Sequence, residues 1–542
     1  MRTWLLALAA CTGDGEADPC ADAPTWDGFA EGYVQTWCLP CHSAIVTGPD
    51  RQGAPEGLDF DQWSEVYPYR DRFALRATGE VPEELGPMPP MGGVPQSQVE
   101  LLGEWLACGA NGHDDPPGPC DAPATTGPVA VASQAEADAW CSSVGPASAA
   151  SVTVTGDAAL GCLCAVDGEL RVEGGRAEFP LLTSVDGDLV GRAGALSAPE
   201  LARVGGAVEV AGSQVTEWAT PSLADVGGRV AFDDAPALGS LELDHLHDVG
   251  GEMIVRGLPL LGSLHLPRLR SVGGDLVIEG LSGLTALTST QSLESVRGSL
   301  ILRQLPQLPV LDDWQFVFLY EVGGDVVIAD NPAMLAIHGF PMLGCAGAFP
   351  SQIAPDCSAD WAMPGSLIIE GNDALQQVPG FDNLEHIAGD LVLRDNATLD
   401  SVQGLIHLAR IDGALVLEDL RTVANLSGFG ALATAGELRM TRIGEVVSAD
   451  FPRLTAIDRD LRVQECPKLS SILGFPLLTQ VGGTFSVTNN VELVDISGFG
   501  PLQRVGGDFE VVDNPVLSTH VVESWLSAVD VGGSSTVSGN GP

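Results

Sequence analysis

This sequence predicts a small helical domain followed by a long, mostly β stack of coils. Three observations lead there. A glycine-rich word, as in "RSVGGDLVIEGLSGL" and "QRVGGDFEVVDNPVL", returns at steps that settle at 22 to 26 residues through most of the chain. Ahead of it, residues 25 to 112 hold two stretches of helical periodicity. Between them stands "WCLPCHS", residues 37 to 43, with two cysteines, a two-residue gap and a histidine. At 542 residues with 66 Gly and 37 Pro, the chain has room for more than one domain and is rich in turns. Its 72 acidic and 25 basic side chains give a formal charge of −47. That balance repels nucleic acid and anionic lipid headgroups, so nucleic-acid binding is excluded.

The first element is "MRTWLLALAAC", with one positive residue, an apolar run from Trp4 to Ala10, and small residues before Cys11. It resembles a bacterial lipoprotein signal, which implies a signal peptide over 1–10, diacylation of Cys11 and a tether over 11–24. No later stretch approaches 18 uninterrupted apolar residues, so this lipid is the expected membrane anchor.

The second element, residues 25–112, is helical at both ends. Trp26, Phe29, Tyr33 and Trp37 recur at three- and four-residue steps, a single apolar stripe that ends at the cysteine word. In "SQVELLGEWLAC", Ser97 with Glu100 reads as a capping box, and Leu101, Leu102, Trp105 and Leu106 as the buried face. With 12 Cys and 9 His in the chain, a C-x-x-C-H word arises by chance only about 0.004 times. A redox pair would ask for a βαβ setting, and a zinc site for a second Cys/His pair. Neither accompanies it. Covalent haem attachment needs two thiols for the vinyl groups and an adjacent imidazole for the iron, and Cys38, Cys41 and His42 supply them.

A second iron ligand is expected from "GPMPPMGG", which offers Met88 and its rival Met91 in a proline-stiffened loop. This arrangement resembles the small class I cytochromes c of bacteria, over about 90 residues. The resemblance implies an all-α cytochrome c domain with one covalent haem c, favours Met88 as the ligand, and suits electron transfer rather than catalysis. Arg51, the basic residue nearest the haem word, is the candidate partner for a haem propionate. Between Cys11 and Cys120 there are 19 acidic residues against four arginines, so the expected partner is a redox protein with a basic docking face.

A Pro/Gly/Asp-rich linker over 113–130 leads to the repeats, 131–540. A period near 24 lies in the leucine-rich range, where each unit gives one short strand and cannot bury its apolar side alone. Leu276 and Ile278 should point inward, and the paired glycines should permit the corner before each strand. Asn331, Asn372, Asn396, Asn490 and Asn514 return at one position and read as structural, bonding backbone groups at a stacked corner. The pattern resembles receptor L-domains. That implies a right-handed leucine-rich-like β-solenoid of about 15 coils, opened by "CAVDGELRV" and closed by a cap helix near 517–529. An insertion is expected around 340–362, closed by Cys345 with Cys357.

Among the other cysteines, Cys20 with Cys108 would brace the first domain, and Cys120, Cys141, Cys162 and Cys164 could form two bridges of open connectivity. Cys466 is left over, expected buried and inert. His245 and His247, near Asp244 and Asp248, are a weak metal pair in a connecting turn. The functional expectation is a lipid-anchored electron carrier at the bacterial envelope, its solenoid serving for docking or display. The alternative is a recognition or adhesion solenoid to which the haem is accessory.

Overall fold

The computed structural model describes residues 26–39, 96–107, 123–288, 290–312, 315–344 and 362–542, and singly 24, 60, 66, 94 and 120. The chain divides into two compact units, the first ending at Gly118 and the second beginning at Pro119.

In the first unit a π-turn, Trp26–Ala30, runs into helix α1, Glu31–Trp37, and a second helix, α2, covers Gln96–Ala107. Their apolar stripes meet. Trp26, Ala30, Tyr33 and Val34 pack with Leu102 and Trp105, joined by Phe60 and Val66. The Trp26 and Trp105 rings lie 6.0 Å apart, and Trp37 Nε1 donates to Gln98 Oε1 at 2.9 Å. The helix begins at Gln96, so Ser97 stands inside it rather than at its cap. Leu101 is exposed, which leaves Leu102 and Trp105 buried, with Leu106 partly buried against the same cluster.

The second unit is a parallel β-solenoid of about 17 turns. One sheet follows the stack from Val129–Val131 to Ser535–Ser538, each strand parallel to those of the neighbouring coils. A second face carries two-residue strands such as Asp225–Val226 and Asp248–Val249. The strands Arg410–Glu418 and Thr434–Thr441 pass unbroken across both faces. Alternation drives this: Leu276 and Ile278 are fully buried while Val277 between them faces outward, half-buried. Burial of each such side chain is worth roughly 1.5–3 kcal/mol. Aromatics stack from coil to coil, with the Phe475 ring 5.3 Å from Phe451 and 4.7 Å from Phe499.

These findings correct the expected fold class. The protein is nearly all β, and among the described residues there are four short α-helices and no separate all-α haem domain. The physical reason is proportion. Helix α1 has seven residues and α2 twelve, whereas the coil repeats through the whole second unit. The coil count also rises above the expected 15, because Val129–Val131 and Val152–Val154 precede the first glycine word and Ser535–Ser538 follows the last one read. The missed last coil still carries the signal, Gly532 and Gly533.

Polar columns close the corners. Asn331, Asn372, Asn396, Asn490 and Asn514 are all fully buried. The Asn372 side chain donates to Ile328 O at 2.9 Å, and its backbone N–H donates to Asn396 Oδ1 at 3.1 Å. The column continues to Asn540, which accepts from Asn514 N at 3.1 Å. A second column stands after the paired glycines: Asp275, Asp325 and Asp390 accept backbone N–H bonds from Ser299, Ser366 and Ala414. The glycines answer to crowding rather than to φ, since a Cβ on Gly273 would lie 2.1 Å from the carbonyl oxygen of Gly250.

Both ends are capped. Helix α3, Gln134–Val144, starts from a reciprocal box in which Glu136 N donates to Ser133 Oγ and Ala132 N donates to Glu136 Oε2. Disulfides Cys120–Cys164 and Cys141–Cys162 tie this end to the first coils. Helix α4, Thr519–Leu526, lies within the expected 517–529, and its Trp525 packs against Phe485, Phe499 and Phe509. Cys466 is buried, and burial pushes its thiol up to about 11. Cys20, Cys108, Cys345 and Cys357 lie outside the described residues.

Candidate functional site

Cys38 follows the last residue of α1, its backbone N–H donating to Val34 O at 2.9 Å. Its side chain is half-buried against the aromatic cluster, beside Trp37 and Leu39. One turn back, the Tyr33 hydroxyl is buried, and no hydrogen-bond partner for it stands among the described residues. Burial first, and the neighbouring Cys38 charge second, push this phenol up to about 12, so it is a donor at any ordinary pH. A half-buried sulfur on an apolar wall, near a buried hydroxyl, fits a large apolar group that carries polar substituents. Cys41, His42, Arg51, Met88 and Met91, and the lipidation candidate Cys11, lie outside the described residues.

The histidine pair of "LDHLHD" is split by the structure. His245 Nδ1 lies 2.8 Å from the carbonyl oxygen of Pro221. His247 Nδ1 instead lies 3.1 Å from Asp225 and 3.4 Å from Asp248. Asp225 and Asp248 are register partners on adjacent coils, and Ser271 Oγ of the next coil donates to Asp248 at 2.6 Å. Burial lowers the His247 pKa, but the hydrogen bonds to the two carboxylates outweigh it and raise it to about 9. The same contact with His247 holds the Asp248 carboxyl below its ordinary value. Among the described residues this is the one cluster whose three ligand-type atoms lie within 4.8 Å of one another. At neutral pH it is satisfied as an ion pair. Asp225 went unread in the sequence because it sits a full coil upstream.

The outer side of the long sheet has its own columns. Ala231, Ile254, Val277, Ile301, Val327, Ile368, Val392 and Val416 are paired in register on consecutive strands. Two residues further along these strands runs a column, charged except at Ala329, in which Arg256 meets Asp233, Arg303 meets Glu279, and Arg394 meets Glu370. These pairs are at least partly exposed and individually weak.

Together, the fold and these sites define a parallel β-solenoid repeat protein, with two short described helices in the unit that precedes it in sequence. No protein family, no curated protein and no solved structure matches the chain. Among the described residues no helix is long and apolar enough to cross a membrane.

Proposed function

We propose that the chain carries one covalent haem c on Cys38 and Cys41 and moves electrons at a bacterial cell envelope, with the solenoid as its docking scaffold. The supporting observation is the setting of Cys38: a sulfur at the end of an amphipathic helix, against a tryptophan-lined wall. When bound, haem supplies a one-electron iron couple. The chain's own residues would do the rest. Cys38 and Cys41 would hold the group by thioether bonds, and His42 and Met88, with Met91 as rival, would supply the iron ligands. Arg51 is the candidate cation for a propionate, and Trp26 and Trp105 keep water from the wall. This attachment asks for two thiols, an imidazole and an apolar surface, not for a separate all-α domain.

Two protein ligands on the iron would suit a carrier rather than a catalyst, and a lipid on Cys11 would hold it at the envelope. A partner with a basic docking face fits the charge of −47. The test is the reduced and oxidised visible spectrum of exported protein. A methionine-to-iron band that disappears in Met88→Ala supports the reading. High-spin iron that binds carbon monoxide in the unmodified protein contradicts the carrier role. A second reading, recognition by the solenoid with haem as an accessory, draws its support from the apolar column on the outer sheet face.

A further inference from the structure

We infer that the outward column from Ala231 to Val416 is a docking strip for a partner protein that presents an apolar ridge with a basic edge. This takes from the proposed function only the docking role of the solenoid and does not depend on haem. The column position itself does not demand an apolar residue. On coils before the strip it holds Ala130, Thr153, Arg171, Val190 and Glu209, and on coils after it Arg439, Arg462 and Ser486, so charged and polar residues stand there beside isolated apolar ones. Polar and charged side chains are therefore accommodated there. Threonine would supply β-propensity without exposing hydrocarbon. Between those limits the chain places aliphatic residues on consecutive strands, six of them, from Ile254 to Val392, half-buried. At about 4.8 Å per strand the strip runs for roughly 30 Å, an apolar patch of the kind that marks interaction surfaces.

The two borders of the strip differ, and the difference selects the occupant. One border is the Arg/Glu column, whose charges answer one another. On the other, the residues preceding each strand run Arg229, Glu252, Asp275, Ser299, Asp325, Ser366 and Asp390; Arg229 answers Glu252 at 3.2 Å, and beyond that pair the border is acidic or neutral. A partner is thus met by hydrocarbon in the middle, neutrality on one flank and negative charge on the other. An apolar ridge with lysines or arginines along one edge complements all three. A second copy of this chain does not, since its 72 acidic and 25 basic residues would set acid against acid.

The experiment uses the full chain and a designed probe, a 22-residue Leu/Lys amphipathic helix with its leucines on one face. Controls are the same composition with scrambled faces and a Leu/Glu version. Binding is read by fluorescence anisotropy at physiological salt, alongside the triple substitution Val277→Thr, Ile301→Thr and Val327→Thr, which keeps β-branching and the fold. The inference expects the amphipathic Leu/Lys helix to bind the unmodified chain, with affinity falling about tenfold or more in the triple variant. Both controls should bind at least that much more weakly. Equal binding to the triple variant, or equal binding of the scrambled peptide, overturns it. Concentration-dependent self-association in sedimentation that the triple variant abolishes would overturn the choice of partner in favour of a second copy. Haem content of the same samples is measured separately, so failure of the docking strip and failure of the haem reading are told apart.

Discussion

In the first unit Trp26 and Trp105 come from opposite ends of the sequence segment and meet with ring centroids 6.0 Å apart. In the solenoid Phe475 meets Phe451 and Phe499, its counterparts one coil before and one coil after. Both contacts bury large rings, but they are specified differently. The described cluster of the first unit depends on a long-range meeting of two short elements, and the solenoid on a local step repeated many times. The second arrangement spreads stability over nearest-neighbour interfaces, so damage to one coil is felt by its neighbours first. The first gathers its buried side chains into one cluster, with Cys38 partly buried at its edge.

Substitutions at matched aromatic positions sharpen this contrast most. Phe475→Ala removes a fully buried ring that packs between two others, and should cost about 3–5 kcal/mol in urea unfolding. Trp105→Ala should disturb the first unit by a similar amount and leave the solenoid's unfolding midpoint where it was. A shared loss of midpoint in both variants would break the distinction between the units.

The asparagine column comes next. Asn372→Leu deletes the acceptor and donor that serve Asn331 N and Ile328 O, leaving buried backbone groups unanswered. A cost of about 3 kcal/mol is expected, read by chemical denaturation. A cost below about 0.5 kcal/mol would mean that the corners are held by the strand ladder alone.

The smallest effect belongs to His247. Its pKa is raised from 6.5 to about 9 in the folded chain, so the protonated ring contributes stability that is fully present below pH 6.5 and is lost as pH rises through 9. Because Asp225 is half exposed, about 1 kcal/mol is a fair magnitude. His247→Gln should therefore be less stable than the parent at pH 6 and equal to it above pH 9.5. A difference that grows with pH would reverse the assignment.

Legibility of the sequence followed the same divide. Period-24 repetition announced the coils, the inward Leu and Ile positions, the buried asparagines and the terminal helix, because each residue's partner lies one repeat away. Two coils at the start escaped because "PVAVA" and "SVTVT" carry alternation without the glycine word. The Asp column after the glycines looked like a solvated coat, although its role in bonding the next coil's N–H repeats as regularly as the asparagines. In the first unit the two amphipathic stripes were readable and their contact followed. The step from two helices and a haem word to an all-α domain did not hold, since local periodicity cannot say how much of the intervening chain is helical. His247 found its second carboxylate across coils, a pairing visible only once register is known.

The account rests most directly on what is bonded to Cys38 and Cys41. Intact-mass and peptide mass spectrometry of exported full-length protein should show a porphyrin's added mass on the peptide spanning residues 38–42, abolished in Cys38→Ala/Cys41→Ala, with the solenoid's unfolding unchanged. An unmodified peptide in protein matured by a cell that makes c-type haem would contradict the account and leave the solenoid as the working part.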